Sequence, residues 1–249
     1  MSPVQPSTSR PDTAVRPLSA LLGDSVLSAL DGIAATLPTT TAFASRDDSI
    51  TYGELAIAAR NRGEALRCAH ARANTGRMPL AVVIDGSVDS VISILAVFAS
   101  GHPLFAVDAD LPDVARSVLT EAAGAIEAAS VDYYSQDQAD TADDGMWWES
   151  RAWDRGLTEG GTSTALDAWR PALVLVGPGS TGRITVTQEE LLSAASDLAA
   201  RARLGPRESF AVSHSCASVA GLVGLVAGLL HGCTVSGVGR GFPTRRDLL

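Results

Sequence analysis

Apolar positions along this chain fall into blocks whose period switches repeatedly between helical and extended spacing. Residues 18–37 carry them at helical spacing, and Pro38 closes the block. Residues 42–44 are short and extended. Thr51, followed three positions on by Glu54, has the form of a capping box and predicts an amphipathic helix over 51–72. Leu80–Ile84 is a continuous apolar run, as expected of a strand buried on both faces. Helical spacing returns over Val88–Ser100 and stops at Gly101. Residues 104–107 are extended, 112–123 helical up to Gly124, and 125–131 read as another strand. Further on, 172–176 predict a strand, 184–187 an extended segment and 187–203 an amphipathic helix. The pattern then predicts a strand at 209–214, a helix at about 217–231 and a strand at 233–238. Alternation with short connections predicts an α/β fold, a doubly wound and mainly parallel sheet flanked by helices.

Two stretches break the rhythm. Residues 132–168 are acidic and rich in Gly and Thr, with Trp147, Trp148 and Trp153 near the middle. Such a length without periodicity marks a functional excursion or a linker. Its tryptophans could serve a partner, but aromatic residues in such loops more often fold back onto their own domain. Residues 1–17 hold four prolines and no apolar core, so they read as a disordered leader and not a secretory signal. The expected organisation is thus a leader (1–17), a first α/β portion (18–131), the acidic loop (132–168) and a second α/β portion (169–249).

No formally charged residue lies between Glu208 and Arg240, and Gly224 and Gly228 there have the spacing of a membrane-helix contact. Interruptions at Ser213, His214, Ser215, Ser218 and His231 favour strand, buried helix and strand instead.

Composition narrows the chemistry. The 249 residues are 46% hydrophobic with a net charge of −9, which excludes disorder for most of the chain. It also argues against a general nucleic-acid or anionic-membrane binder. All 19 basic residues are arginine. With no lysine there is no Schiff base and no ammonium on a phosphate loop. Cys68, Cys216 and Cys233 have neither disulfide-framework nor zinc-knuckle spacing, and the four histidines are scattered, so no metal site is expected. The cytoplasm is the default location.

The richest segment runs from the 172–176 strand into Gly177, Pro178, Gly179, Ser180, Thr181, Gly182 and Arg183. Small residues after a buried strand suit a phosphate: the backbone approaches closely and its N–H groups and hydroxyls point inward. The bland reading is a tight Gly/Ser turn. Gly177, Gly179 and Gly182 satisfy a dinucleotide-type G-x-G-x-x-G, with Asp197 about twenty residues on. That motif needs a helix to begin in the loop, and 184–187 look extended. The spacing is not that of a lysine-bearing P-loop either. Elsewhere, His214 and Cys216 are close in sequence but lack an orienting third group. Asp85 ends the 80–84 strand, where a ligand carboxylate or, more simply, a turn or cap would sit.

Strand, Gly-Ser-Thr-Gly, strand and helix together resemble the phosphate loop of the adenylate-forming enzymes, which include acyl-CoA synthetases, luciferases and the adenylation domains of nonribosomal peptide synthetases. Other segments agree in the family's order. Ile50-Thr51-Tyr52-Gly53-Glu54-Leu55 resembles the opening Leu-Thr-Tyr-x-Glu-Leu. Residues 95–101, with 104–108 and Pro112, resemble the segment ending Tyr-Val-Pro-Ile-Asp-Pro. Val186-Thr187 before Leu191 and Leu192 matches Val-Thr-His-x-x-Leu, and 209–235 resemble the following strand–helix–strand. The resemblance implies a partial adenylation-domain N-terminal region with Gly177, Gly179, Ser180, Thr181, Gly182 and Arg183 as candidate nucleotide or phosphate contacts.

Departures from the family pattern shape the functional expectation. Where the family continues Pro-Lys-Gly, Arg183 is followed at once by Ile184. Pro178 replaces a Ser, removing a hydroxyl and a backbone donor. Gln188 stands for the family's His, and apolar residues 219–225 stand where amino-acid-activating members carry an aromatic-Asp pair. The Thr-Glu segment, the ribose-binding Asp and the C-terminal domain with its lysine have no counterpart. Together these imply a truncated homologue with no assigned catalytic residue and no autonomous ligase activity. ATP or AMP binding is possible but weakened. The expected role is auxiliary or scaffolding, beside a protein partner: a complementing ligase half, a synthetase module or a second copy. Two alternatives stay open, the N-terminal half of a split acid:AMP ligase and an ATP/AMP-binding regulatory module. Neither nucleic acid nor membrane is expected as a partner.

Overall fold

Helix and strand order follows the alternation of the sequence. A computed structural model describes residues 25–46, 48–73, 76–128, 170–176 and 183–237. The expected leader (1–17), the acidic loop (132–168) and Gly177 to Gly182 therefore lie outside the described residues. The elements are α1 (Val26–Thr36), β1 (Thr41–Ala44), β2 (Ser49–Thr51), α2 (Tyr52–Ala73), β3 (Leu80–Ile84), α3 (Val88–Ser100), β4 (Leu104–Asp108), α4 (Asp113–Ala123) and β5 (Ile126–Glu127). After the acidic loop come β6 (Pro171–Val176), β7 (Arg183–Thr187), α5 (Gln188–Ala202), β8 (Ser209–Val212), α6 (Val219–Leu230) and β9 (Thr234–Gly237).

The fold is α/β as expected, and the strands divide into two sheets. One has the order β5-β3-β4-β6-β7, parallel except for β7; the other has the order β2-β1-β9-β8, parallel except for β2. Periodicity cannot show this division, because it reports which residues are buried and not which strand lies beside which. The small sheet joins distant parts of the chain: Phe43 of β1 pairs in parallel with Val235 of β9. Strand β2 was not foreseen, since its three residues hold one buried position, Ile50. Of the last strand expected in the first portion, 125–131, the described residues form Ile126–Glu127, and 129–131 lie outside them.

One large apolar core connects both sheets through α1, α2, α3, α5 and α6. The opposite face of the larger sheet carries a smaller cluster, Ala81, Phe105, Val107, Ala123 and Val174, under α4. This asymmetry corrects one expectation. Strand β3 is not buried throughout, because Val83 is 47% exposed. It faces the α4 side, where α4 packs over β4 and β6 and leaves the end of β3 uncovered.

Caps stop the helices where the sequence suggested. In α2 the Thr51 N–H donates to Glu54 Oε2 at 3.0 Å, and Glu54 N–H donates to Thr51 Oγ1 at 3.4 Å. The Thr51 hydroxyl, which donates to Glu54 Oε2 at 2.7 Å, and then the Thr51 N–H hold the Glu54 carboxyl below its usual range. Thr187 and Glu190 repeat the box at the start of α5.

Helix α6 explains the uncharged stretch. Only 12 residues long, it buries Leu222, Leu225, Val226, Leu229 and Leu230 at 2% exposure or less. Each such side chain contributes about 1.5–3 kcal/mol on burial. Its glycines permit close packing within the domain: a Cβ on Gly228 would lie 2.5 Å from Val235 Cγ2, and one on Gly221 would lie 2.1 Å from the Ser215 carbonyl oxygen. The Gly224/Gly228 face therefore meets β8 and β9. Among the described residues no helix is long and apolar enough to cross a membrane.

Tyr52 ties the two portions together. It is fully buried at the first position of α2, and its hydroxyl reaches the carbonyls of Leu229 at 2.9 Å and Cys233 at 2.7 Å. Burial, then the neighbouring Cys233, pushes the phenol well above its ordinary pKa, so it stays a donor. Gly221→Ala should cost about 1–3 kcal/mol or more in urea unfolding, because the obstacle is backbone. Gly32→Ala, on an exposed face of α1 with nothing near its added carbon, should stabilise by about 0.5–1 kcal/mol. Tyr52→Phe should cost about 1–2 kcal/mol in the same assay, through loss of the one phenolic hydrogen that lies between the Leu229 and Cys233 carbonyls.

Candidate active-site cleft and the glycine-loop hairpin

Strands β4 and β6 run in parallel and end at the same edge of the larger sheet, the edge where open α/β sheets bind ligands. The start of α6 comes against this edge from one side and α4 from the other. Two adjoining cavities of about 160 and 220 Å³ open there, sharing Phe105, Ala106, Leu119, Ala217 and Ser218 in their walls. The lining is mainly apolar, with Asp108, Ser215 and Ser218 as its polar groups.

Those polar groups already serve the backbone. Ser218 Oγ donates to the Ser215 carbonyl at 2.7 Å and accepts the Gly221 N–H at 3.1 Å, as the N-cap of α6. Ser215 Oγ accepts the Ala217 N–H at 3.2 Å, and Asp108 Oδ1 accepts the Asp110 N–H at 2.9 Å. Among the described residues no cationic side chain lines either cavity. The cleft can receive an apolar or aromatic body, but its described walls offer no charge to neutralise a phosphate.

The glycine segment leaves from this edge. Strands β6 and β7 pair antiparallel, with Val176 opposite Arg183. The six positions between them therefore join two paired strands. That register sets aside both the dinucleotide motif and the lysine P-loop, which require a helix to start from the loop. The candidate contacts Gly177, Gly179, Ser180, Thr181 and Gly182 lie outside the described residues; Arg183, the sixth, is placed. Its Nε donates to the Ala122 carbonyl at 3.2 Å, and its guanidinium covers Gly124, where an added Cβ would come within 2.8 Å of it. Gly124 caps α4 in the left-handed region at φ 59. Arg183 is thus occupied at a helix C-terminus, where backbone carbonyls favour a cation.

Gln188, the substitute for the family's histidine, has a structural task. It is 4% exposed, and its Oε1 accepts the Val26 N–H at 3.0 Å, closing the start of α1. This contact spans 162 positions. Sequence reading marked the substitution but had no signal for the partner. The other isolated candidates also resolve into structural roles. Asp85 Oδ1 accepts the Ser87 N–H at 2.9 Å. Burial works to raise its pKa, but hydrogen bonds led by those from Ser87 outweigh this and hold the carboxyl below its usual value. His214 Nδ1 meets the Ser213 hydroxyl at 3.2 Å. Cys216 is buried, and burial pushes its thiol up to about 11, the opposite of an activated nucleophile. Among the described residues no cluster of three or more His, Cys, Asp or Glu could hold a metal ion.

Two outcomes follow from these placements. Iodoacetamide at pH 8 should label the exposed Cys68 well before the buried Cys216 and Cys233, read by peptide mass spectrometry. Gln188→Ala should lower stability by about 1–2 kcal/mol, with early exchange of the α1 amides, because the Val26 N–H loses its acceptor.

The architecture is similar to solved adenylation proteins. The N-terminal subdomain of Klebsiella oxytoca NpsA superposes with a TM-score of 0.60 at 22% identity, covering 90% of this chain and 56% of that one. An artificially fused adenylation–PCP di-domain, NpsA-ThdA from the same organism, gives 0.60 at 20% identity over 90% of this chain and 40% of the other. VinN in complex with L-aspartate gives 0.63 at 16% identity, covering 86% of this chain and 57% of that one. At these identities the likeness shows the fold, and the chain spans little more than half of the subdomain it matches. No curated protein matches it in sequence. The AMP-binding enzyme family model, however, matches residues 30–248, nearly the whole chain. By that match over most of its length, this chain belongs to the AMP-binding enzyme family.

Proposed function

We propose that this chain does not activate acids by itself and acts by contact, as an auxiliary or scaffold in a peptide-synthetase or acyl-activating pathway. The observation that carries this reading is the position of Arg183. It is the cation next to the glycine loop, yet its guanidinium serves the end of α4. The described walls of the cavities at the sheet edge add no other cation, and the chain has no lysine to supply one. Joining a carboxylate to the α-phosphate of ATP depends on orientation and on neutralising developing charge. A loop without its cation loses a contribution that normally amounts to several kcal/mol. The partner is a protein: a complementing ligase half, a synthetase module or a second copy. The cytoplasm is the compartment in which such a pathway would operate.

A second reading has its own support. The scaffold up to β9 is well packed while matching 56% of the NpsA subdomain chain, which fits the N-terminal half of a split acid:AMP ligase. Use of the loop to bind ATP or AMP without chemistry would fit the same scaffold.

Pyrophosphate exchange separates these readings. The purified 249-residue chain, given ATP, Mg²⁺ and a broad panel of amino, aryl and fatty acids, should show no exchange above a protein-free blank. Robust exchange by the chain alone overturns the proposal. Exchange that appears only on adding a co-expressed complementary polypeptide selects the split ligase. Saturable ATP binding by calorimetry without exchange selects the nucleotide-binding module.

A further inference from the structure

The edge of the larger sheet opposite the cleft holds a second cavity of different chemistry. It measures about 310 Å³ and lies where β3 and β4 begin, just before β6. Three separate stretches of chain bring cations to it: Arg67 from α2, Arg77 from the segment before β3, and Arg170 from the position before β6. Its floor is formed by the buried His70, Ser100 and His102. Among the described residues no carboxylate lines it. In a chain of net charge −9 such a concentration of arginine and histidine around one small volume is unusual.

Internal bonds account for part of this charge. Arg67 is bidentate to Glu64, with Nε donating to Oε2 at 2.9 Å. His70, in the last turn of α2, is held toward its neutral form by burial and adds no fixed charge. Arg77 has neither explanation. It lies beyond the helix, is exposed, and takes part in no ion pair among the described residues. The floor is prepared as well. His102 Nδ1 is 3.0 Å from the Met78 carbonyl, which can only accept, so Nδ1 carries the hydrogen. The His70 and His102 rings lie 4.8 Å apart between centroids, tilted by 49°. Burial first, and His102 second, lowers the His70 pKa.

We propose that this cavity binds a small phosphate-bearing anion, held by the Arg77 and Arg170 guanidinium groups above the histidine floor. Guanidinium forks match phosphate oxygens in pairs, and Arg77 and Arg170 line the one cavity from different segments of the chain. The volume exceeds that of a bare phosphate group, which leaves room for a pyrophosphate or a small phosphorylated metabolite. The site lies at the amino-terminal edge of the strands, so it is separate from the glycine loop at the carboxyl edge.

Calorimetry with pyrophosphate, and separately with inorganic phosphate, tests the proposal at fixed low ionic strength. The full chain should bind one equivalent saturably. Arg77→Ser, a change at an exposed position that should leave the melting temperature unaltered, should weaken binding roughly fivefold or more. A Ser180→Ala/Thr181→Ala variant should bind as the parent does, which locates the anion away from the glycine loop. Absence of saturable binding, a smaller loss in Arg77→Ser, or a loss caused by the loop variant overturns the assignment.

Discussion

The Tyr52 hydroxyl holds together parts of the chain that sequence places far apart. It is the first residue of α2, and its two carbonyl acceptors, Leu229 and Cys233, lie 177 and 181 positions away. The bond fixes α2 against the turn between α6 and β9, and β9 in turn pairs with β1. Without that closure the four-stranded sheet has no middle, because β1 and β9 are its central pair. The buried phenol can take this position because its hydroxyl hydrogen has carbonyl acceptors to replace water. Gln188 repeats the arrangement from the other side, joining the start of α5 to the start of α1. Two buried polar contacts of very long sequence separation therefore set the relation between elements whose apolar faces alone would be less specific.

Close packing around α6 is the complementary constraint. Its run of Ala, Gly, Val and Leu is almost featureless in a hydropathy reading. In three dimensions Gly221 admits the Ser215 backbone and Gly228 admits Val235, so the absence of side chains at those points is what lets the helix reach the sheet. The same small-residue spacing that would suit a membrane helix pair serves here to seat one helix on two strands.

The edge that carries the glycine segment is built as a hairpin whose neighbouring polar side chains serve helices. The hairpin β6–β7 keeps the strand–loop–strand form, while Arg183 turns toward α4 and Gln188 toward α1. Both positions stand out in the motif comparison as departures from the family. Their structural partners explain what the replacements now do, and neither partner lies nearby in sequence. Arg67, Arg77 and Arg170 instead line the cavity at the opposite edge.

Local chemistry was legible in the sequence wherever it is decided within a few residues. The capping box at Thr51–Glu54, the limits of α3 at Val88 and Ser100 and the stop of α4 at Gly124 are read correctly from neighbours. So is the extended segment that excludes a helix after the glycine loop. The family motifs were legible for the same reason, since each is a short run in fixed order. What tertiary structure alone decided is everything that depends on partners beyond one element. That includes the division of the strands into two sheets, the exposure of Val83 beyond the reach of α4, and the roles of Tyr52 and Gln188. It also includes the meeting of Arg67, Arg77 and Arg170 around one cavity. Periodicity records that a side chain is buried, but the identity of what buries it, and so the chemistry of any site formed there, exists only when the chain has closed.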